Sequence, residues 1–86
     1  MRILLHRNFD KKYRKLRDSE KQAFKSRRDI FFKNPFDPIL NNHQLGGKYK
    51  SCRSIDITGD LRVIFKMIDE NLAYFLIIDT HSNLYK

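Results

Sequence analysis

The chain has 86 residues, of which 41% are hydrophobic and 33% charged, and its formal net charge is +8. Its single cysteine, Cys52, excludes an internal disulfide, and its longest apolar stretch, residues 72–78, is too short to cross a membrane. We therefore expect one cytoplasmic domain, residues 1–86, that does not bind membranes, because chains this short rarely hold two independent cores.

The first third of the chain predicts one strand followed by two basic helices. Residues 2–7 contain a short apolar run that is typical of a first strand. Apolar residues at helical spacing follow it at Phe9, Tyr13 and Leu16. A second helix is predicted to begin at Ser19, which opens a Ser-x-x-Gln capping box, and to end before Pro35.

The remaining residues predict a loop and three strands. Residues 36–47 have no regular period and are rich in Pro, Asn and Gly, which indicates an extended loop. Strands are predicted over residues 49–57, 61–67 and 72–79, with short turns that make them an antiparallel meander. The order β-α-α-β-β-β predicts an α+β domain in which the two helices cover one sheet face. We expect the other face to form a shallow groove.

The positive charge lies entirely in the first third of the chain. Residues 1–34 contain twelve Lys or Arg and four acids, whereas residues 35–86 contain equal numbers of each. A one-sided basic surface suits the phosphates of a nucleic acid and suits an acidic protein equally well. A solvated helix face that keeps the protein in solution explains the same pattern.

The neutral part of the chain holds the residue types that a site for phosphodiester cleavage needs. Metal-free RNA cleavage requires a base for the 2′-hydroxyl, an acid for the leaving 5′-oxygen and cations for the charged transition state. Histidine can serve in either proton transfer, and arginine offers a fork to phosphate oxygens. The candidates are His43, His81, Arg53, Arg62, Asp56 and Asp60.

Each candidate has a simpler structural explanation. His81 alone is more often a surface histidine at the end of a strand, and His43 lies in a loop where it can be merely solvated. Arg53 and Arg62 are suited to surface ion pairs with Asp56 and Asp60. No metal-ligand spacing and no cofactor motif is present, so we expect neither a metal nor a cofactor.

Three segments together resemble the RelE/ParE superfamily of toxins from toxin–antitoxin systems, and especially its YafQ branch. They are NHQLGG at 42–47, CRSIDITGDLRVIF at 52–65 and THSNLY at 80–85. The resemblance covers the whole chain, because the basic helical pair precedes these segments as it does in the family. It implies an endoribonuclease that cleaves messenger RNA on the ribosome, and a cognate antitoxin that binds the toxin in a hetero-oligomer.

The resemblance also implies roles for individual residues. His81 would be the principal general acid or base, and His43 the second proton-transfer or phosphate-binding group. Asp60 would orient a histidine or bind the substrate, and Tyr85 would stack on or position a nucleotide. The residues expected to bind substrate or phosphate are Arg53, Arg62, Asp56, Tyr85, Lys48 and Lys50.

Three positions differ from the YafQ pattern. Asp56 replaces a histidine, Leu61 replaces an aromatic residue, and Asp79 replaces the glycine before Thr80-His81. Two alternatives therefore stay open beside the ribonuclease. One is a ParE-like toxin that acts on DNA gyrase without cutting RNA, and the other is a catalytically weakened member that only binds its antitoxin.

Overall fold

The computed structural model describes residues 1–85, so Lys86, the last residue of the predicted domain, lies outside it. The elements are β1 (Arg2–Leu5), α1 (Arg7–Arg14), α2 (Asp18–Lys33), β2 (His43–Gln44), β3 (Arg53–Asp56), β4 (Leu61–Asp69), β5 (Leu72–Thr80) and α3 (His81–Leu84). The predicted α+β class is confirmed. No helix within residues 1–85 is long and apolar enough to cross a bilayer.

The five strands form one sheet in the order β1-β5-β4-β3-β2. The predicted meander of β3, β4 and β5 is confirmed, and all pairs are antiparallel except β1 with β5, which is parallel. The first strand in sequence therefore lies at one edge of the sheet, and β2 lies at the opposite edge.

Two features of residues 36–52 differ from the prediction. The expected loop contains a 3₁₀ turn, Pro38–Leu40, and the short strand β2, which the sequence did not indicate. The expected strand over residues 49–57 begins only at Arg53. Ser51, inside that range, has a φ angle of 77°, and this left-handed backbone is incompatible with a strand.

The start of α2 also differs slightly from the prediction. The helix begins at Asp18, and the expected capping box of Ser19 does not form its N-terminus. The backbone N–H of Arg17 instead donates to the Glu20 carboxylate at 3.0 Å. A carboxylate in the first turn satisfies a free N–H group and complements the helix dipole.

An aromatic cluster holds the helices on one face of the sheet. Phe75 on β5 lies within 5.5–6.2 Å, between ring centroids, of Phe9 on α1, Phe24 and Phe31 on α2, and Phe65 on β4. All five rings are buried. Each buried ring contributes about 1.5–3 kcal/mol of transfer free energy, so this cluster is the main reason that the two helices stay on the sheet.

The other sheet face is not an entirely free groove, as the sequence analysis expected. A smaller apolar cluster covers part of it, formed by Cys52, Ile64 and Leu84 with Leu45, Tyr49, Leu76 and Ile77. Leu84 belongs to α3, which turns back over the sheet directly after β5. What remains open is a pocket beside α3.

Candidate functional site

The open pocket lies where β2, β3, β4 and α3 meet, on the sheet face opposite α1 and α2. Its volume is about 300 Å³. The lining residues are Asn41, His43, Leu45, Ser54, Arg62, His81 and Tyr85. Strand alternation explains the set, because Ser54 and Arg62 point away from the helices while their neighbours Ile55 and Val63 are buried in the main core.

His43 reaches the pocket through the short strand β2. The pairing of β2 with β3 places His43 opposite Ser54. Its Nδ1 lies 2.7 Å from the carbonyl oxygen of Asn41, a residue with a left-handed φ of 48°. A carbonyl can only accept a hydrogen bond, so this contact selects the tautomer with a proton on Nδ1. The lone pair of neutral His43 is then on Nε2, where a base needs it.

His81 begins α3, and Tyr85 directly follows its last residue, one turn away. The hydroxyl of Thr80 accepts a hydrogen bond from the Asn83 N–H at 3.2 Å and caps this short helix. The i, i+4 spacing brings the rings of His81 and Tyr85 to 4.7 Å between centroids. Tyr85 also meets Tyr49 edge to face at 6.0 Å. The pocket therefore has one aromatic wall.

The β3–β4 turn is tied to α3 by backbone contact. The N–H of His81 donates to the carbonyl of Asp60 at 2.9 Å. Asp60 thus contacts His81 through its main chain, and its exposed carboxylate is not part of the pocket lining. The position of the turn consequently fixes where the His81 backbone lies.

Arg62 holds that turn from the floor of the pocket. Its guanidinium donates to the carbonyls of Thr58 at 2.8 Å and Gly59 at 3.1 Å, with a longer bond to Leu61 at 3.3 Å. Its Nε lies 2.9 Å from Oδ1 of Asp56 in an ion pair that falls short of hydrogen-bond geometry. Arg62 therefore does pair with Asp56, but the pair is largely buried and not the surface ion pair of the simpler explanation. Most of the Arg62 donors are already engaged.

Ser54 is a polar group in the pocket that the sequence analysis did not select. Its side chain is 1% exposed, and no group among residues 1–85 hydrogen-bonds its Oγ. A buried hydroxyl without a partner costs free energy, so a ligand atom that supplies the missing hydrogen bond would be favoured there.

The carboxylates of Asp56 and Asp79 are both paired with cations. Asp56 has Arg62, and Asp79 lies 3.1 Å from the Lys12 ammonium. Partial burial acts to raise the pKa of Asp79, but hydrogen bonds from the Asn83 side chain and the Thr80 backbone, together with Lys12, outweigh it and lower that pKa. Pairing reduces the repulsion that either carboxylate would exert on a phosphate.

The structure brings together four of the predicted site residues: His43, Arg62, His81 and Tyr85. Asp56 adjoins them through Arg62 and through the Asn41 amide at 3.5 Å. Tyr49, which contacts Tyr85, carries the Lys48 ammonium 5.1 Å above its ring, and the nearby Lys50 is exposed.

Arg53 is not in this pocket. It donates to the Asn42 side chain at 2.7 Å, and its guanidinium lies 5.4 Å from the Phe36 ring centroid. It lines a separate pocket of about 240 Å³ with Phe36, Phe65 and Met67. Arg53 is one residue from Ser54, so strand alternation sends the two side chains to opposite faces.

Three lining residues were missed by the sequence analysis: Asn41, Leu45 and Ser54. An asparagine in a Pro- and Gly-rich loop is a known signal for left-handed backbone, and Asn41 has that conformation, but the signal does not indicate its contact with His43. Ser54 lies on a strand that the sequence predicted, but a single neutral hydroxyl gives no signal of a functional role. Among residues 1–85 no group of three His, Cys, Asp or Glu side chains is arranged to hold a metal ion.

The sequence matches one family profile over residues 1–86, described as the bacterial toxin of type II toxin–antitoxin system, YafQ. No curated protein matches it. Among solved structures, YafQ from Escherichia coli strain BL21(DE3) is similar with a TM-score of 0.78 and 20% identity, covering 98% of this chain and 97% of that one.

Two further structures share the fold. The YoeB/ParE toxin from Agrobacterium tumefaciens has a TM-score of 0.75 and 15% identity, with 94% and 99% of the two chains covered. YafQ in the E. coli DinJ-YafQ complex has a TM-score of 0.70 and 22% identity, with 98% and 97% covered. At these identities the structural likeness establishes the fold, and the family profile covers the whole sequence.

Proposed function

The chain belongs to the YafQ family of bacterial toxins from type II toxin–antitoxin systems, and on that premise we propose that it is a metal-independent endoribonuclease that cleaves messenger RNA in the pocket beside α3. The observation that carries this proposal is the presence of His43 and His81 in one open pocket with Arg62 on its floor. The proposal treats residues 1–86 as a single toxin domain.

The chemistry divides between the two histidines. His43 Nε2 would accept the proton of the ribose 2′-hydroxyl, because the Asn41 carbonyl keeps the other proton on Nδ1. The 2′-oxygen then attacks the adjacent phosphorus, and protonated His81 would donate a proton to the leaving 5′-oxygen. Paired general acid and base groups of this kind accelerate such reactions by about 10²–10⁴-fold each.

The other residues would bind the substrate. Lys48 and Lys50 are exposed cations near the pocket and suit the flanking phosphates. Tyr85, 40% exposed, offers a ring on which a base can stack. Arg62 would act mainly by holding the turn, since its donors face carbonyls and Asp56. Arg53, on the other face, would contact RNA only outside the pocket.

The partner follows from the family and from the charge. Solved neighbours include the DinJ-YafQ toxin–antitoxin complex from E. coli and the YoeB-YefM complex from Staphylococcus aureus. We infer that this chain also forms a hetero-oligomer with a cognate antitoxin in the cytoplasm, and that the antitoxin is acidic because residues 1–34 are strongly basic. Ribosome-bound mRNA is the proposed substrate.

The test compares three histidine variants under identical conditions. Purified protein is incubated with translating ribosomes, or with free mRNA, in the presence of a metal chelator, and cleavage is followed by primer extension. His81→Asn and His43→Asn should each slow cleavage by about 10²–10⁴-fold. His6→Asn is the matched control, because His6 caps α1 outside the pocket and asparagine is a good capping residue.

Three results would count against the ribonuclease. If the His81→Asn variant still arrested growth while mRNA stayed intact, the toxicity would not depend on this pocket. Inhibition of DNA gyrase supercoiling by the natural chain, without RNA cleavage, would favour the ParE-like alternative. If the natural chain did not cleave RNA but the Asp56→His variant did, the chain would be a weakened member that mainly binds its antitoxin.

A further inference from the structure

Ser54 is a pocket residue to which the proposed chemistry gives no role. It is the only buried polar residue within residues 1–85, at 1% exposure. Two buried side-chain atoms of that range lack a hydrogen-bond partner, Oγ of Ser54 and Oδ1 of Asp56. The Asp56 oxygen still has the Arg62 cation at 2.9 Å. The Ser54 hydroxyl is therefore the one buried polar atom of the described chain with neither a hydrogen bond nor an ion pair.

Ser54 lies close to the groups that would transfer protons. It is directly opposite His43 in the pairing of β2 with β3. Residues paired in this way have Cβ atoms roughly 4.5–5.5 Å apart on the same sheet face. Both side chains line the pocket together with His81. A phosphate held between the two histidines would consequently lie within reach of the Ser54 side chain.

The pocket offers few other donors to a phosphate. Contacts with three backbone carbonyls and with Asp56 occupy most N–H groups of Arg62. The Asn41 amide is directed at the Asp56 carboxylate, at 3.5 Å. The two nearby lysines are exposed and outside the pocket lining. Ser54 is thus an uncommitted donor in a buried position, where a hydrogen bond to a charged oxygen is strong because water is excluded.

We propose that the Ser54 hydroxyl donates a hydrogen bond to a non-bridging oxygen of the scissile phosphate. This inference rests on the proposed function and adds to it the group that binds the reacting phosphate. Negative charge builds up on that oxygen as the 2′-oxygen attacks the phosphorus, so the hydrogen bond strengthens in the transition state. Ser54 keeps its proton throughout, and the proton transfers stay with His43 and His81.

Access to the hydroxyl requires only a small local movement. Rotation about a single bond re-aims a serine Oγ, and the neighbouring strand β2 has only two residues. Hydrogen bonds at catalytic sites are often long or misaligned in the free enzyme and tighten when the substrate binds. Because the Ser54 hydroxyl has no partner within residues 1–85, no internal hydrogen bond has to break before it binds a phosphate.

Two other roles of Ser54 predict different results. As a nucleophile activated by His43, its Oγ would attack the phosphorus itself, and the RNA would need no 2′-hydroxyl. Activation requires a hydrogen bond to the base, but Oγ of Ser54 bonds to no group in residues 1–85, His43 included. As a packing residue, Ser54 would contribute to stability and not to cleavage.

The first measurement compares Ser54→Ala with Ser82→Ala, a matched control. Ser82 is exposed on α3 beside His81 but is outside the pocket lining. In the format in which the natural chain cleaves RNA, kcat should fall by about 10²–10³-fold in Ser54→Ala, with KM changed by less than about threefold. Ser82→Ala should stay within about twofold of the natural kcat. Tm of Ser54→Ala should equal the natural value or exceed it, because the change removes a buried hydroxyl that has no partner.

Sulfur substitution locates the hydrogen bond on the substrate. RNA with one phosphorothioate at the mapped cleavage site exists as two diastereomers, each of which replaces a different non-bridging oxygen. Sulfur is a weak hydrogen-bond acceptor, so the natural chain should cleave one diastereomer about tenfold or more slowly than the other. Ser54→Ala should lose this difference, which a purely structural serine would leave unchanged.

A transition-state mimic gives a measurement that does not depend on cleavage. Complexes of the four ribonucleosides with vanadate imitate the pentavalent phosphorane. At least one should bind the natural chain in an NMR titration, and Ser54→Ala should weaken that binding by about tenfold or more. If the natural chain bound such a complex through Ser54 but cleaved no RNA, the proposed function alone would be refuted.

Several results would overturn the inference and leave the ribonuclease intact. They are an unchanged kcat in Ser54→Ala, an equal loss in Ser54→Ala and Ser82→Ala, and a phosphorothioate difference that Ser54→Ala retains. Cleavage of RNA with 2′-deoxyribose at the mapped site would identify Ser54 as a nucleophile instead. A Tm of Ser54→Ala lower by more than about 5 °C would assign it a packing role. Failure of all four vanadate complexes to bind would also refute the inference.

Discussion

Replacement of Arg62 by methionine tests whether this residue holds the turn that positions His81. Methionine keeps much of the side-chain length but removes every donor. The change deletes the bonds to Thr58, Gly59 and Leu61 and leaves Asp56 without its cation. The two side chains are 17% and 26% exposed, so solvent screens the ion pair only in part.

The expected loss of stability follows from these contacts. Hydrogen bonds that involve a charged group contribute about 1.5–3 kcal/mol, and the contacts of one side chain are not additive. Breaking a fully buried ion pair costs about 3–5 kcal/mol. Because Arg62 and Asp56 are partly exposed, we expect Arg62→Met to lower the free energy of unfolding by about 3 kcal/mol, the lower end of that range. Since 1 kcal/mol corresponds to about 4–8 °C in a domain this small, Tm should fall on the order of 15 °C.

The coupling between Arg62 and Asp56 is measured by urea unfolding of a double-mutant cycle. Arg62→Met, Asp56→Asn and the double variant should give an interaction energy of about 1–2 kcal/mol between the two residues. RNA cleavage by Arg62→Met should also fall at temperatures where the variant is folded, because the Asp60 carbonyl that accepts from His81 moves with the turn. A stability loss below about 0.5 kcal/mol, the usual range for surface substitutions, would refute the structural role of Arg62.

Three further predictions concern other parts of the chain. The pKa of Asp79 is lowered from its ordinary 3.8, so its stabilisation is complete above that pH and is lost progressively as pH falls below it. Asp79→Asn should therefore cost stability at pH 6, and the cost measured by urea unfolding should shrink as pH falls below 3.8. Phe75→Ala should cost about 3–5 kcal/mol, whereas Phe36→Ala, at a ring 65% exposed, should cost under about 0.5 kcal/mol in the same assay. Tyr85→Ala should raise KM for RNA by roughly 5–100-fold if a base stacks there, with Tyr85→Phe near the natural value; an unchanged KM in Tyr85→Ala would remove the stacking role.

The parts of the fold that local patterns determine were predictable. The alternation along β4 and the apolar run of β5 indicated two long strands, and Pro35 marked the end of α2 correctly. Strand β2 escaped prediction because it has two residues, too few for any period to appear. Helix α3 escaped for the same reason, since its four residues follow β5 without a break.

The site was predictable in residue types but not in arrangement. The histidines and Arg62 were selected for their chemistry and do line one pocket, together with Tyr85. Arg53 and Ser54 show the limit of this approach. The sequence favoured Arg53 for its charge, yet register and alternation place the neutral Ser54 in the pocket instead. Register depends on contacts between β2 and β3, which no single segment encodes.

The strand order has a consequence for how a bound partner can restrain the toxin. β1 and β2 are opposite edges of the sheet, separated by four strand spacings, or roughly 19 Å. A partner segment bound at the β1 edge would therefore leave the pocket beside β2 uncovered. An extended tether of about six residues spans that distance directly, and a longer one is needed to pass around the sheet. Docking at β1 would then hold a second inhibitory segment at millimolar effective concentration near the pocket, so two weak contacts would suffice for tight control.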